Sequence, residues 1–403
     1  LEAADKCASW RLMEFIPTRE AALARLEAFV PQAGRDYARL RNFDVAGHPH
    51  VSGLSPYLRH RVISEEEVLR AVLARHSAEE AEKFIQEVYW RTYWKGWLER
   101  RPSIWAMYQA DVARGLDRLA VESGLRTDWE AACRGETGIA CFDAWARELA
   151  ATGYLHNHAR MWFASIWIFT LRLPWALGAD FFMRHLLDGD AASNTLGWRW
   201  VAGLQTVGKT YLAREDNISK YTGGRFMPSG QLAKFAAPVE GFANPALGEV
   251  PVPGVVDRSA PFVVVLTEDD LCAQMPEGAL GVAVLRGDAA RSPLMVSVAV
   301  KAHTAALVED AISRAGVPRG PVSTDPADIV AWAQGLGASQ IIMPYVPQGP
   351  ARDLAAGLAR EIKVLEIIRA HDATAWPHAK AGFFKFKTAI PALIRALDQP
   401  SLI

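Results

Sequence analysis

Along the first half of the chain, apolar residues return every three or four positions between charged ones, most clearly in Arg19–Val30 and Glu65–Arg75. That spacing predicts amphipathic helices up to about Tyr221. Ser64 followed by three glutamates predicts a helix start, with the hydroxyl capping free N–H groups and the carboxylates complementing the helix dipole. From Phe226 to Ser259 the periodicity stops and prolines and glycines recur (Pro228, Gly230, Pro238, Gly241, Pro253), the texture of a linker or of an extended loop crossing a surface. Beyond it, Phe262–Leu266, Val282–Leu285 and Ile341–Met343 are short, continuously apolar runs, as expected of strands buried on both faces. Helical stretches over 305–315, 325–336 and 352–362 lie between and after them. The predicted fold is therefore α + α/β: an all-helical domain over 1–225, a Pro/Gly-rich linker over 226–259 and a parallel-sheet α/β domain over 260–403.

Composition sharpens this picture. Half of the 403 residues are hydrophobic and 22% are charged, which describes a globular chain with a large core. Twelve of the fourteen tryptophans precede the linker, so the two parts differ in task as well as in fold. A formal net charge of −1 gives no global attraction to nucleic acid or anionic membrane, and an anionic partner must be met by a local basic patch. Cys7, Cys133, Cys141 and Cys272 are too few and scattered for a disulfide framework, and without a C-x-x-C pair no metal site is expected. The absence of a signal-like start or a spanning apolar run leads to the expectation of a cytoplasmic protein without membrane contact.

Four clusters carry candidate chemistry. Glu87, Trp90, Arg91 and Trp94 are spaced i, i+3, i+4, i+7 and share a helix face, where a carboxylate and a guanidinium serve either a ligand or each other. Asn157, Arg160 and Met161 offer an amide, a fixed cation and a soft apolar contact on another helix, whereas His156 and His158 point apart there and make a poor metal pair. Ser52-Gly53-Leu54-Ser55-Pro56-Tyr57-Leu58 leads into a helix with hydroxyls and backbone donors suited to phosphate, or is an ordinary capped turn. Between Trp162 and Trp200, tryptophans surround Asp188-Gly189-Asp190, Asn194 and Gly197-Trp198-Arg199-Trp200. Carboxylates among large rings need a polar partner, as in a site for a flat redox cofactor. A Trp-rich core whose aspartates cap a helix is the alternative.

Taken together and in this order, the clusters resemble the FAD-binding domain of the photolyase and cryptochrome family over roughly residues 10–225. The family's T-S-x-L-S-P-Y-L run is matched by Val51–Leu58 with Tyr37 upstream, and its E-x-x-W-R helix by Glu87–Arg91. T-G-W-M-H-N-x-x-R-M is matched by Thr152–Met161, and D-G-D-x-x-x-N-x-x-G-W-x-W by Asp188–Trp200. The resemblance implies FAD, with Tyr37 among the residues that bind it, Ser52, Leu54 and Ser55 toward its phosphates, and Arg91 and Arg160 on the phosphate and flavin side. It also implies Asn157 at a flavin edge, Asp188 and Asp190 at the ring and ribose, and Asn194 near flavin N5. Trp198 and Trp175 would pass electrons to the flavin, and the third member of that chain has no obvious position. Glu87, Trp90, Met161 and Trp200 match the residues that contact a flipped-out pyrimidine dimer, which makes damaged DNA the implied partner and a light-driven lyase the implied activity. Arg199, Lys209, Arg214, Lys220 and Arg225 are the basic groups expected along the DNA path.

The departures are specific. Val51 stands for the usual Thr, Arg61 for a Gly, Tyr154 for a common Trp, and His158 for an Arg common in dimer photolyases. The helical domain also precedes the α/β part, the reverse of the family's order. His371–Pro377 and Phe383–Lys387 faintly resemble the close of the family's antenna domain, so the α/β part is read as that domain displaced to the other end, with room for an antenna chromophore, or as a generic nucleotide-binding-like module. A blue-light photosensor of cryptochrome type and a non-repair flavoenzyme are the rival functions.

Overall fold

The computed structural model describes residues 14–241, 243–252, 254, 259–272 and 275–397; Cys7 and Pro253 of the linker lie outside them. Among the described residues, twelve α-helices come first. They are α1 (Arg19–Phe29), α2 (Arg35–Leu40), α3 (Ser55–Arg59), α4 (Glu65–Leu73), α5 (Glu82–Glu99), α6 (Ser103–Val121), α7 (Ser123–Arg134), α8 (Ala140–Thr152), α9 (Asn157–Ser165), α10 (Trp175–His185), α11 (Ala191–Val201) and α12 (Glu215–Tyr221). Ser64 caps α4 in a reciprocal box, accepting from Glu67 N at 3.1 Å while the Glu67 carboxylate accepts from Ser64 N at 2.8 Å. The segment 226–259 holds no helix or strand among its described residues and is tied down on its way, through Val239 N to Ala202 O and Gly248 N to Arg100 O.

The sheet follows, from β1 (Phe262–Thr267), β2 (Val282–Leu285), β3 (Arg319–Ser323), β4 (Gln340–Pro344) and β5 (Lys363–Ile367), all parallel in the order β3-β2-β1-β4-β5. Its helices are α13 (Val298–Arg314), α14 (Pro326–Gly335), α15 (Pro350–Ala355), α16 (Ala370–Ala375), α17 (Phe383–Lys387) and α18 (Ile390–Ala396). The three fully apolar runs are the central strands β1, β2 and β4. The two edge strands, more polar and only half-buried, carry no such signal. The single helix expected over 352–362 is instead α15 and a short 3₁₀ turn at Leu358–Arg360 before β5.

The strand order reverses between β1 and β4, the place where an open α/β sheet leaves a crevice at its carboxyl ends. Here β1 runs out into Glu268-Asp269-Asp270, and these meet Arg59-His60-Arg61 at the end of α3. Arg59 pairs with Asp269, His60 Nδ1 lies 2.7 Å from Glu268 O, and Arg61 bonds Asp372 at 2.8 Å and approaches Asp270 at 3.8 Å. Arg61 adopts φ 44°, the left-handed conformation that glycine takes easily. The departure from the family's Gly thus has a physical content: Arg61 accepts an unfavourable backbone and gains a buried set of carboxylates from the sheet. Gly96 of α5 completes the docking, since a Cβ there would sit 2.5 Å from the Trp376 ring.

Candidate functional site

One stripe of α5 presents Arg91 and Lys95 inward, and the loop into α11 presents Asp190 to meet them. Arg91 Nη2 reaches Asp190 at 3.3 Å and its Nε lies 3.5 Å from Glu65. Arg160 of α9 donates to Asp188 at 2.8 Å and to Leu155 O through its Nε at 2.8 Å. Asp190 is also the N-cap of α11, accepting from Ser193 N at 2.7 Å, so the helix-capping alternative is part of the same arrangement. Burial opposes ionisation of Asp190, but Arg91, Lys95 and Arg59 outweigh it and hold the carboxyl well below its ordinary range. Glu65 behaves likewise beside Arg61, His371 and Arg91. Lys95 is 1% exposed, and burial, with Arg61 and Arg91 nearby, lowers it to about 8.

Asp188 Oδ1 and Lys95 Nζ are buried without a hydrogen-bond partner, while Arg91 Nε and Glu65 Oε1 face only each other, at 3.5 Å. Such atoms are costly unless a ligand or water meets them. Cations for a diphosphate and a buried carboxylate oxygen for a ring N–H are the donor and acceptor set that an FAD molecule needs, so the residues fit that group.

The other expected residues are distributed unevenly. Tyr37 is buried edge-on between Phe29 and Phe84, and Ser52 Oγ accepts from Leu54 N at 3.3 Å in the turn before α3, with Ser55 opening that helix. Asn194 anchors α11 by donating to Ala179 O at 2.8 Å. Asn157 begins α9 and is exposed, and Met161 is half-buried. Glu87 does not bond Arg91 one turn on. Its partner is Arg41, four residues after Tyr37, a pairing that helix spacing alone could not reveal. Trp90 and Trp200 line one cavity, yet one face of the Trp90 ring is covered by Phe383, stacked at 3.7 Å and 11°. Trp198 meets Trp167 edge-on at 6.2 Å, and Gly178 makes room for both, since a Cβ there would lie 2.3 Å from Trp198. Trp175 faces Tyr108 at 6.0 Å, which in turn lies 5.2 Å from Trp105.

The basic path is corrected by the structure. Lys209, Arg214 and Lys220 are exposed, but Arg199 is buried against Asn244 and Arg225 turns in to Asp44 at 2.7 Å. Also unforeseen were Arg59, Arg61, Glu65 and Lys95. The Arg-for-Gly departure at 61 and the position of Lys95 four residues after Arg91 were the available signals.

A helical domain that gathers buried guanidinium–carboxylate pairs with unmet polar atoms among tryptophans defines a cofactor-binding class. Residues 84–233 match the family model described as the FAD binding domain of DNA photolyase. Deoxyribodipyrimidine photo-lyase of Vibrio cholerae is 30% identical over 226 residues, covering 53% of this chain and 45% of the relative. The Thermus thermophilus enzyme of the same name is 35% identical over 230 residues, 55% of this chain and 51% of the relative. The chain thus spans about half the length of the curated relatives it matches. Among solved structures, a bacterial class III photolyase from Agrobacterium tumefaciens is 29% identical with a TM-score of 0.44, covering 51% of this chain and 43% of that one. A Synechocystis cryptochrome is 24% identical with a TM-score of 0.45, covering 53% and 45%.

Proposed function

We propose that this chain is a photolyase-like flavoprotein that acts on cyclobutane pyrimidine dimers in DNA, with the sheet region serving as an antenna-type domain placed after the helical one. The observation that carries the reading is the joint lining of one cavity by Trp90 and Trp200, with Arg91 and its partner Asp190 behind them on the same helices. FAD, when bound and reduced, supplies under blue light the electron that splits the cyclobutane ring and receives it back. The chain's own groups bind, orient and exclude water. Arg160 and Asp188 hold each other with one carboxylate oxygen left for a ligand N–H, and Arg91 and Lys95 bring positive charge to an anionic group. Trp90 and Trp200 stack on extruded bases, and Glu87 offers an acceptor to their edges once shared with Arg41. Trp198 and Trp175 are the proposed electron donors that restore reduced flavin.

A second reading, a cryptochrome-like photosensor, is favoured by one observation: the Trp90 ring and the Glu87 carboxylate already have protein partners in Phe383 and Arg41. Incubating reduced, FAD-loaded protein with a dimer-containing oligonucleotide under blue light separates the two. Recovery of intact thymines supports repair. Flavin photoreduction without any splitting supports the sensor.

A further inference from the structure

Arg291 closes the short 3₁₀ turn Asp288–Arg291 that follows β2, and it is 2% exposed. Its guanidinium donates through Nη1 to Leu186 O at 3.2 Å, just ahead of Asp188-Gly189-Asp190, while Nε and Nη2 have no hydrogen-bond partner. The carboxylates whose charge reaches it are already engaged: Asp269 pairs with Arg59, Asp288 is held by Arg286 at 2.8 Å through both oxygens, and Glu268 accepts from Gly287 N at 2.8 Å. Burial and the adjacent Asp269 also push Glu268 upward, which weakens it as a counter-charge. A guanidinium this deep is costly without an anion to answer it. Two imidazoles lie beside it. His60 is fully buried, His303 of α13 is 7% exposed, and their ring centroids are 6.1 Å apart. Burial, with Arg291 nearby, lowers the proton affinity of both, and each keeps a buried Nε2 without a partner. His60 Nδ1 lies 2.7 Å from Glu268 O, a carbonyl that only accepts, so Nδ1 carries the proton and Nε2 of the neutral ring is an acceptor. The free Nε and Nη2 edge of Arg291 matches two oxygens of one anion, and the free acceptor on His60 needs a hydroxyl.

We propose that Arg291, His60 and His303 hold a small oxyanion that still carries a proton, of the hydrogen phosphate or bicarbonate type, where β1 and β2 end. Two of its oxygens accept from Arg291 Nε and Nη2, its hydroxyl donates to His60 Nε2, and His303 Nε2 meets a remaining lone pair. The burial of all three side chains admits a small ion and neither a nucleotide nor a strand. The ion answers the unpaired guanidinium and ties the sheet to the loop before α11, since Arg291 bonds Leu186 O and Arg59, next to His60, donates to Gly189 O at 2.7 Å. The three residues lie outside the segment matched to the FAD-binding domain, and the site takes no part in the flavin or dimer chemistry.

The probe is inorganic phosphate, followed by phosphorus NMR line broadening and by the unfolding midpoint of the full chain, with and without FAD, at neutral pH and fixed ionic strength. Bicarbonate, sulfate and chloride are the comparison ions. Phosphate or bicarbonate is expected to bind at one site and to raise the midpoint with its concentration, as a ligand of the folded state does. Sulfate, which has no hydroxyl at this pH, and chloride should not. Arg291→Met keeps a buried apolar stem, removes the charge and should weaken phosphate binding by about tenfold or more, the worth of one charge-assisted hydrogen bond. His303→Leu, expected to weaken it by about threefold, serves where Arg291→Met does not fold. Binding of bicarbonate alone supports the proposal and names the ion. Equal stabilisation by sulfate and phosphate, binding unchanged in the variants, or no binding of either protonated ion overturns it. The readouts need neither flavin nor light, so failure here leaves the flavin reading untouched.

Discussion

The two faces of α5 carry opposite chemistry. One face presents Arg91, Thr92, Lys95 and Glu99, which meet Asp190, His371 and the sheet: Thr92 lies 2.9 Å from His371 Nε2, and Glu99 accepts from Tyr345 OH at 2.5 Å and Gln348 N at 2.7 Å. The other presents Trp90, Tyr93, Trp94 and Trp97 to rings from α17. The polar face is expensive to break because its groups are buried and Arg91, Thr92 and Glu99 are answered by specific partners. The aromatic face gains by area and shape and leaves an open cavity, so its side chains can change without collapsing the fold. One helix therefore separates a face of buried polar contacts to α11 and the sheet region from a face that leaves an open aromatic cavity.

The sharpest break of this contrast is Asp190→Ala. It removes the answer to Arg91 and Lys95 and the N-cap of α11, and should cost about 3–5 kcal/mol, the loss typical of a broken buried pair. Urea unfolding reads this directly, and flavin retention should fail with it; a loss below about 1 kcal/mol would mean that the pair is not a structural unit. Gly96→Ala comes next. The added methyl would meet Trp376 and should cost about 1–3 kcal/mol by overpacking, with the sheet region becoming easier to cleave by protease.

A pH dependence offers a third break. Burial, with Arg61 and Arg91 nearby, lowers Lys95 to about 8 from the ordinary 10.5, so between these values the unfolded chain binds the proton that the folded one has released. Stability therefore rises with pH across that window on account of Lys95. Subtracting the profile of Lys95→Met, measured as urea midpoints from pH 7 to 10.5, should isolate the rise. A flat difference would place Lys95 in contact with water.

Much of the fold was legible because its signals are local. Periodicity over Arg19–Val30 and Glu65–Arg75 predicted α1 and α4, and continuous apolar runs predicted β1, β2 and β4. β3 and β5 escaped because an edge strand needs little apolar surface, and Arg319–Ser323 and Lys363–Ile367 are half-buried and polar. The paired residues Arg91, Arg160, Asp188 and Asp190 could be picked out by type and order. Their partners could not, since Arg61 is answered by Asp372 and Trp90 by Phe383 from far along the chain. Charge counting likewise could not show that Arg199 and Arg225 turn inward.

The most direct test of the division between the two faces is the yield of light-driven dimer splitting by Trp90→Ala at full flavin occupancy. The account predicts an unchanged flavin spectrum and flavin affinity, with dimer binding weaker by about 1–3 kcal/mol, the worth of one stacked base, and splitting reduced to match. Loss of flavin from Trp90→Ala, or splitting as efficient as in the unaltered protein, would contradict it.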